Sequence, residues 1–196
     1  MALGLTLCLV PEQIELLFSK ALVNKPYAEW MPFIPGLLRK RDFTDIQDDG
    51  LSELKKDVEA LSRFFHFTED YYFYDISRSS STVDYLLNQY IKANSLPMQP
   101  DIVWEGGNAF SAVVATQGMP VKLYDKAQIR AIAFLLIDLE FADLLKYYEY
   151  DTMLEAGVYK LTSLEKQELL EDTFYAVKYL FLIAFSEGLL VFKAID

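Results

Sequence analysis

Residues 125–140 read DKAQIRAIAFLLIDLE, and this stretch decides how the last third of the chain is expected to fold. Asp125 and Gln128 have the spacing of a capping box, in which each side chain bonds the backbone N–H of the other residue, so a helix is predicted to begin here. Apolar residues then recur at helical spacing, and we predict that the helix continues to about Tyr147. Its other face carries further apolar side chains, so the helix is predicted to be buried on most sides. These side chains are Phe134, Leu135 and Ile137.

A second long helix is predicted further along, where Thr162 and Glu165 repeat the capping-box spacing. Its apolar stripe comprises Leu169, Leu170, Phe174, Val177, Leu180, Phe181 and Ala184. Gly188 is suited to end the helix, because glycine readily adopts the left-handed conformation of a C-cap. Residues 189–195 are short, apolar and β-prone, and we expect them to form a strand that pairs with the first strand of the chain. The last third is thus predicted to be two long amphipathic helices and a closing strand.

The beginning of the sequence predicts a strand followed by a helix. Residues 1–10 are apolar, as in a secretory signal, but they contain no basic residue and Pro11 and Glu12 follow at once, which favours a strand. A helix is expected after Pro11 and should stop near Pro26. Residues 30–36 contain two prolines among large apolar groups, which predicts a loop that either folds onto the core or serves as a contact loop.

Two helices are predicted in the middle of the sequence. One follows Gly50, with Ser52 near its start. The other begins where Ser81 and Asp84 have capping-box spacing, with Asp in place of the usual Glu or Gln, and it should end near Asn94.

A strand is expected at residues 110–114, after a turn at residues 106–108. Together the elements predict an α+β fold, a mainly helical single domain over residues 1–196 with a small, mostly antiparallel sheet.

The composition disfavours several classes of function. The 196 residues include twenty-nine acidic and eighteen basic side chains, so the net charge is -11. A net negative charge repels nucleic acid and anionic lipid. No segment reaches the ~18 consecutive apolar residues that a membrane-spanning helix needs. Cys8 is the only cysteine, which excludes an internal disulfide and fits a buried thiol in a reducing compartment. We therefore expect a soluble, cytoplasmic protein that binds neither nucleic acid nor membrane.

No catalytic residue is predicted. His66 is the only histidine, and Ser62 and Asp70 lie four residues to either side of it, so one helical face could align a nucleophile, a base and an orienting carboxylate. A serine on such a helical stretch lacks the oxyanion donors that acyl transfer needs. The phenylalanines around His66 favour a stretch that packs against other apolar side chains. Glycine-rich phosphate-binding motifs and the GxSxG motif are absent from the sequence.

No metal or cofactor is predicted either. Residues 45–50 resemble the start of a calcium-binding loop, but its twelfth position is Lys56 where a bidentate glutamate is needed, which favours a solvated acidic turn. Six further carboxylates could include a general acid and base, but a charged outer helix face explains them more simply. These are Asp138, Glu140, Asp143, Glu149, Asp151 and Glu155.

Two segments are candidates for contact with a protein partner. Residues 147–151 combine three tyrosines with two carboxylates, a composition typical of protein-contact surfaces, although a helix end that packs two of the three rings would look the same. Trp104 and Glu105 precede a glycine turn, where the Trp either anchors the turn in the core or belongs to a recognition loop. The predicted partner-binding residues are Trp104, Glu105, Tyr147, Tyr148, Glu149, Tyr150 and Asp151.

The sequence resembles the YfbM-like family, a group of bacterial proteins of unknown function. The resemblance rests on residues 4–14, on Gly106 and Gly107, on residues 121–129, and on positions in the last forty-five residues. Those last positions include Met153, Ala156, Val158, Tyr159, Phe174, Tyr175, Ala184 and Gly188. Family members tend to carry a Trp in the helix that here spans residues 54–61, which contains none. The resemblance implies a shared scaffold and no particular activity.

The leading expectation for function is a non-enzymatic binding protein. Its most concrete form is an immunity-type protein that neutralises a basic toxin or effector through an acidic, Tyr-rich surface, since charge complementarity speeds such encounters. The alternative is a small-molecule-binding enzyme or sensor with a pocket of aromatic rings and a carboxylate. A structural subunit with a large apolar surface patch is a third class.

Overall fold

Among the residues that the structure describes, the centre of the fold is a five-stranded antiparallel sheet whose middle strand comes last in the sequence. The computed structural model describes residues 5–46, 51–64, 73–76, 79–97, 102–103, 106–114 and 120–195. The strands are β1 (Leu5–Val10), β2 (Phe73–Ile76), β3 (Asn108–Val114), β4 (Pro120–Tyr124) and β5 (Leu190–Ile195). Their order is β2-β1-β5-β4-β3, with every neighbouring pair antiparallel. The predicted pairing of the closing strand with the first strand is confirmed, whereas β2 was not predicted.

Helices cover both faces of the sheet. Phe192 of β5 lies against Phe18 of the first helix, with 5.7 Å between ring centroids. Tyr124 of β4 pairs with Val191 in the sheet, so it lies on the opposite face from Phe192 and packs against Phe181 at 5.2 Å. Because both faces are covered, consecutive residues of β1 and β5 are buried without alternation.

The helices confirm the mainly helical α+β class. They are α1 (Ile14–Ala21), α2 (Lys25–Trp30), α3 (Ile34–Lys40), α4 (Ser52–Ser62), α5 (Ser80–Ala93), α6 (Lys126–Leu136), α7 (Phe141–Leu145), α8 (Tyr150–Glu155) and α9 (Gln167–Glu187). Short 3-10 turns span Met31–Phe33 and Leu164–Lys166. The predicted starts after Pro11 and Gly50 and the predicted end near Asn94 agree with α1, α4 and α5.

The prediction of a loop over residues 30–36 is wrong, because this segment is helical throughout. Pro32 lies in the first turn of the 3-10 segment, and Pro35 in the first turn of α3. A proline is tolerated there because its missing N–H has no helical partner to lose. Two prolines therefore mark two successive helix starts.

The capping box at the start of α6 is confirmed. The backbone N–H of Gln128 donates to Asp125 Oδ1 at 2.8 Å, and Gln128 Oε1 accepts from the backbone N–H of Asp125 at 3.0 Å. The predicted single helix to Tyr147 is wrong, however, since α6 ends at Leu136 and a turn separates it from α7. Phe134 is 56 % exposed and Ile137 is 52 % exposed, so α6 is also not buried on most sides.

The other two predicted capping boxes are wrong. The buried carboxylate of Asp84 accepts the backbone N–H of Val103 at 2.8 Å, and α5 begins before it at Ser80. Thr162 is buried, and its backbone N–H donates to Thr82 Oγ1 at 3.1 Å. In both cases tertiary contacts engage the groups that capping would have used.

The predicted end of the last helix is correct. Gly188 has φ 68 and ψ 25, the left-handed conformation, and the backbone N–H of Leu189 donates to the carbonyl oxygen of Ala184.

Candidate functional site

The Tyr-rich segment at residues 147–151 divides into an inner and an outer part. The ring of Tyr147 is half-buried and meets Tyr90 edge to face, with 6.3 Å between centroids. Tyr148 is also half-buried, and its hydroxyl donates to the carbonyl oxygen of Thr162 at 2.7 Å. Burial raises the pKa of the Tyr148 phenol. These two rings thus tie the segment to α5 and to the chain before α9, as expected if two of the three rings pack.

The outer part presents a tyrosine between two carboxylates. Glu149, Tyr150 and Asp151 are all exposed, with 47 % of Tyr150 accessible. Leu154 is 59 % exposed and lies one helical turn beyond Tyr150 on the same side of α8. We call these four residues the Tyr150 surface. The hydroxyl of Thr152 donates to Glu149 Oε2 at 2.9 Å, which positions the first carboxylate of the surface.

A concavity of about 600 Å³ borders the Tyr150 surface. It is lined by Tyr150, Lys160, Leu161, Thr162, Ser163, Lys166 and Leu169. A second concavity of about 610 Å³ adjoins it and shares Lys166 and Leu169. The second is lined in addition by Glu165, Gln167, Glu168 and Glu171. The surface between α8 and the start of α9 therefore carries a lysine-lined and a glutamate-lined depression side by side.

The other predicted partner-binding residues, Trp104 and Glu105, lie outside the described residues. The chain on either side of them is held by Lys193, which is 1 % exposed. Its Nζ donates to the carbonyl oxygen of Val103 at 3.1 Å and to that of Gly106 at 2.6 Å. The structure therefore fixes both ends of the segment that contains the predicted Trp.

Tyr124 holds the same segment from β4. Its hydroxyl donates to the carbonyl oxygen of Ile102 at 2.5 Å, and its ring lies 5.6 Å from Lys193 Nζ. Gly107 has φ 88, and a Cβ there would lie 3.2 Å from Tyr124 Cε2 and Lys122 Cβ. Only glycine adopts this backbone conformation readily and also leaves room for the close approach of the Tyr124 and Lys122 side chains.

The remaining candidate sites gain no support from the described residues. The hydroxyl of Ser62 donates to the carbonyl oxygen of Glu59 at 2.7 Å, whereas His66 and Asp70 lie outside the described residues. In the calcium-like motif Asp45 is exposed and Ile46 is buried, whereas residues 47–50 lie outside the described residues. Among the described residues no group of three His, Cys, Asp or Glu side chains could hold a metal ion. No described helix is long and apolar enough to cross a membrane.

Two lysines with structural or chemical significance were not predicted. Lys193 could have been found, because it is the one charged residue in the apolar run of residues 189–195. Lys160 gives no such signal, since its neighbours in sequence are ordinary for a surface loop. Its position follows from the tertiary packing of the chain between α8 and α9.

A family model described as a domain of unknown function matches residues 41–191. No curated protein and no solved structure matches the chain.

Proposed function

Since the chain belongs to the DUF1877 family, whose description names no activity, we propose a function from its surface. The protein is a non-enzymatic binding protein of the immunity type. It neutralises a basic toxin or effector, which it contacts through the Tyr150 surface.

The observation that carries the proposal is the exposure of Tyr150 between two exposed carboxylates, beside a concavity. Tyrosine combines a large rigid contact area with a hydroxyl, and it is enriched at interaction hot spots. Leu154 and Leu169 add exposed apolar area on either side of it, at 59 % and 38 % exposure.

The charge of the protein supports a basic partner. The net charge is -11, and the Tyr150 surface contributes Glu149 and Asp151 without a lysine or arginine. Glu165, Glu168 and Glu171 line the adjoining depression. An acidic field of this kind speeds the approach of a cationic protein and weakens as salt is added.

The test is affinity capture from the native host with three baits. Wild type should recover a basic protein that is released by salt. Glu149→Lys combined with Asp151→Lys should lose it, because both carboxylates would then repel the partner. The matched control combines Glu15→Lys with Asp138→Lys, since both residues are exposed, lie outside the Tyr150 surface and change the net charge equally.

Retention of the partner by the control, and its loss from the Tyr150-surface variant, supports the proposal. Equal loss from both variants would show that only the overall charge matters. If Tyr150→Ala and the double reversal both bound the recovered partner as tightly as wild type, the Tyr150 surface would not be the contact. Neutralisation itself is measured by co-expressing the recovered protein with each bait and following growth.

We also propose that the chain groups with the YfbM-like proteins and works in the cytoplasm. The first rests on the matching residues at the start of β1 and across β4 and α6, which are structural positions. The second rests on Cys8, which is fully buried as a free thiol and whose pKa is raised by burial. Such a thiol is protected from oxidation and needs no partner.

A small-molecule sensor remains the second candidate, and the lysine-lined concavity is the observation in its favour. The predicted combination of an aromatic ring with a carboxylate is not found among that concavity's described lining residues, where Tyr150 is accompanied by two lysines. Any ligand of this concavity would differ in charge from the basic partner proposed above.

A further inference from the structure

The lysine-lined concavity has a chemistry opposite to that of the protein as a whole. Lys160 and Lys166 contribute two positive charges, and its described lining residues include no carboxylate. Tyr150, Thr162 and Ser163 add hydroxyl groups around it. In a protein with a net charge of -11, this is a local site where an anion is attracted.

The ammonium of Lys160 is buried without a hydrogen-bond partner among the residues that the structure describes. It lies 4.9 Å from the centroid of the Tyr159 ring. The face of the ring attracts the positive charge, but it does not provide the oxygen or nitrogen acceptor of an ordinary hydrogen bond. A covered ammonium that lacks acceptors is costly, and an anion that supplies them would relieve that cost. The side chain has four flexible carbons, so it can turn toward an acceptor in the concavity.

The backbone around Lys160 is held in an unusual conformation. Lys160 has φ 49, in the left-handed region that non-glycine residues rarely adopt. Two residues later, the Thr162 backbone is fixed on both sides, since its N–H donates to Thr82 Oγ1 and its carbonyl oxygen accepts from Tyr148. Strain that is maintained by surrounding contacts is a common feature of binding sites. The backbone from Lys160 to Thr162 is thus held in place where it lines the concavity.

A purely structural role explains less of the geometry. A lysine that only packs its stem against Tyr159 would gain from leaving its ammonium in water. The neighbouring depression shows the contrast, because its glutamates stand beside Lys166 and supply the negative charge that the lysine-lined one lacks.

We propose that the lysine-lined concavity binds a small oxyanion, namely the carboxylate or phosphate group of a molecule of metabolite size. Lys160 supplies the principal charge and Lys166 the second. Ser163 supplies a hydroxyl that makes no capping hydrogen bond to the 3-10 turn that follows it. The inference stands independently of the protein partner proposed above.

The experiment is calorimetric titration of the full chain with inorganic phosphate and, in a separate arm, with succinate, at constant ionic strength set by sodium chloride. We expect saturable binding of at least one probe. Lys160→Gln should weaken it by about tenfold or more, since one charge-assisted hydrogen bond is lost and tenfold corresponds to about 1.4 kcal/mol. Lys166→Gln should weaken it less, and the arm that shows binding identifies the anion class.

Lys92→Gln is the matched control, because Lys92 is an exposed lysine near the end of α5 that does not line the concavity. It should bind the probe as wild type does. Circular dichroism of each variant shows that the fold is retained, and backbone amide shifts of residues 160–166 locate the site without reliance on affinity. Absence of saturable binding for both probes, or equal affinity of Lys160→Gln and wild type, would overturn the inference.

Discussion

Lys193 of β5 donates a hydrogen bond from its Nζ to the carbonyl oxygen of Gly106 at 2.6 Å. A buried ammonium in the middle strand of the sheet thereby holds the segment that leads into the edge strand β3. The same nitrogen reaches Val103, so one side chain closes the segment from both ends.

Lys193→Met should destabilise the protein by about 2 kcal/mol, because the carbonyl oxygens of Val103 and Gly106 lose a charged donor while remaining shielded from water. Urea denaturation followed by circular dichroism measures the change. Lys92→Met, at an exposed position, should stay within about 0.5 kcal/mol of wild type. Equal stability of Lys193→Met and wild type would mean that removing the buried charge offsets the lost hydrogen bonds.

Gly107→Ala should cost more than Gly157→Ala. Both glycines have positive φ, at 88 and 72, so each substitution brings the left-handed penalty of about 1–2 kcal/mol. Only at Gly107 would the new Cβ also meet Tyr124 Cε2 and Lys122 Cβ at 3.2 Å, whereas nothing lies within 4 Å at Gly157. The difference between the two unfolding free energies isolates the crowding. Equal values would show that the neighbours move aside freely.

Alkaline pH should weaken the contact between α1, α2 and α4. Asp57 accepts hydrogen bonds from Lys20 Nζ at 2.6 Å and from the Tyr27 hydroxyl at 2.7 Å. Burial, followed by the hydrogen bond to Asp57, raises the pKa of Tyr27 from 10.0 to about 12. The pKa of Lys20 is likewise raised, chiefly by its hydrogen bond to Asp57.

A raised folded-state pKa means that the unfolded chain loses the proton first. The stabilisation is complete below pH 10 and declines as the pH rises from there toward 12. Tyr27→Phe should lose about 1 kcal/mol at neutral pH, the usual value of one hydrogen bond, and should decline less in this range. Tyr179→Phe, at an exposed ring, should keep the wild-type decline. Tyrosinate absorbance during titration reports the ionisation directly, and a Tyr27 phenol whose pKa is the ordinary value of 10.0 would contradict the assignment.

Asp125→Ala should destabilise the protein by about 1 kcal/mol, since it removes the acceptor that caps α6. Glu165→Ala is the counterpart from a predicted capping box that the structure does not contain, and it should change stability by less than about 0.5 kcal/mol. Thermal unfolding of the two variants compares them. A larger loss from Glu165→Ala would restore the capping role that the sequence predicts for it.

The three capping-box spacings show what sequence can and cannot predict about this fold. Asp125 and Gln128 follow a strand directly. Asn108 bonds Asp125 Oδ2 and Gln128 Nε2, which leaves Asp125 Oδ1 and Gln128 Oε1 to form the capping box. Asp84 is engaged by Val103, nineteen residues away, and the Thr162 backbone by Thr82, eighty residues away. The spacing of nearby residues carries no information about such distant partners, so only the capping box of Asp125 and Gln128 is predicted correctly.

The candidate site likewise has some features that the sequence predicts and others that it does not. The sequence does not predict that Tyr150 is exposed and that Tyr147 and Tyr148 are half-buried, because three tyrosines beside two carboxylates do not show which ring faces the core. The concavity depends on Tyr150 and Leu169 meeting across nineteen residues, which no periodicity indicates. The acidic balance was readable from composition, but the lysine-lined depression within it was not.

The position of β5 has a consequence for how the protein can be synthesised. Because β5 lies between β1 and β4, the β2-β1 pair and the β3-β4 pair are not joined into one sheet until residues 190–195 are in place. A nascent chain on the ribosome therefore exposes the unpaired edges of β1 and β4 until β5 has emerged, and only then can its sheet close. Such long-range pairing makes folding slow relative to helical proteins of the same size. Until then these two edges are templates on which a strand of a neighbouring chain can pair.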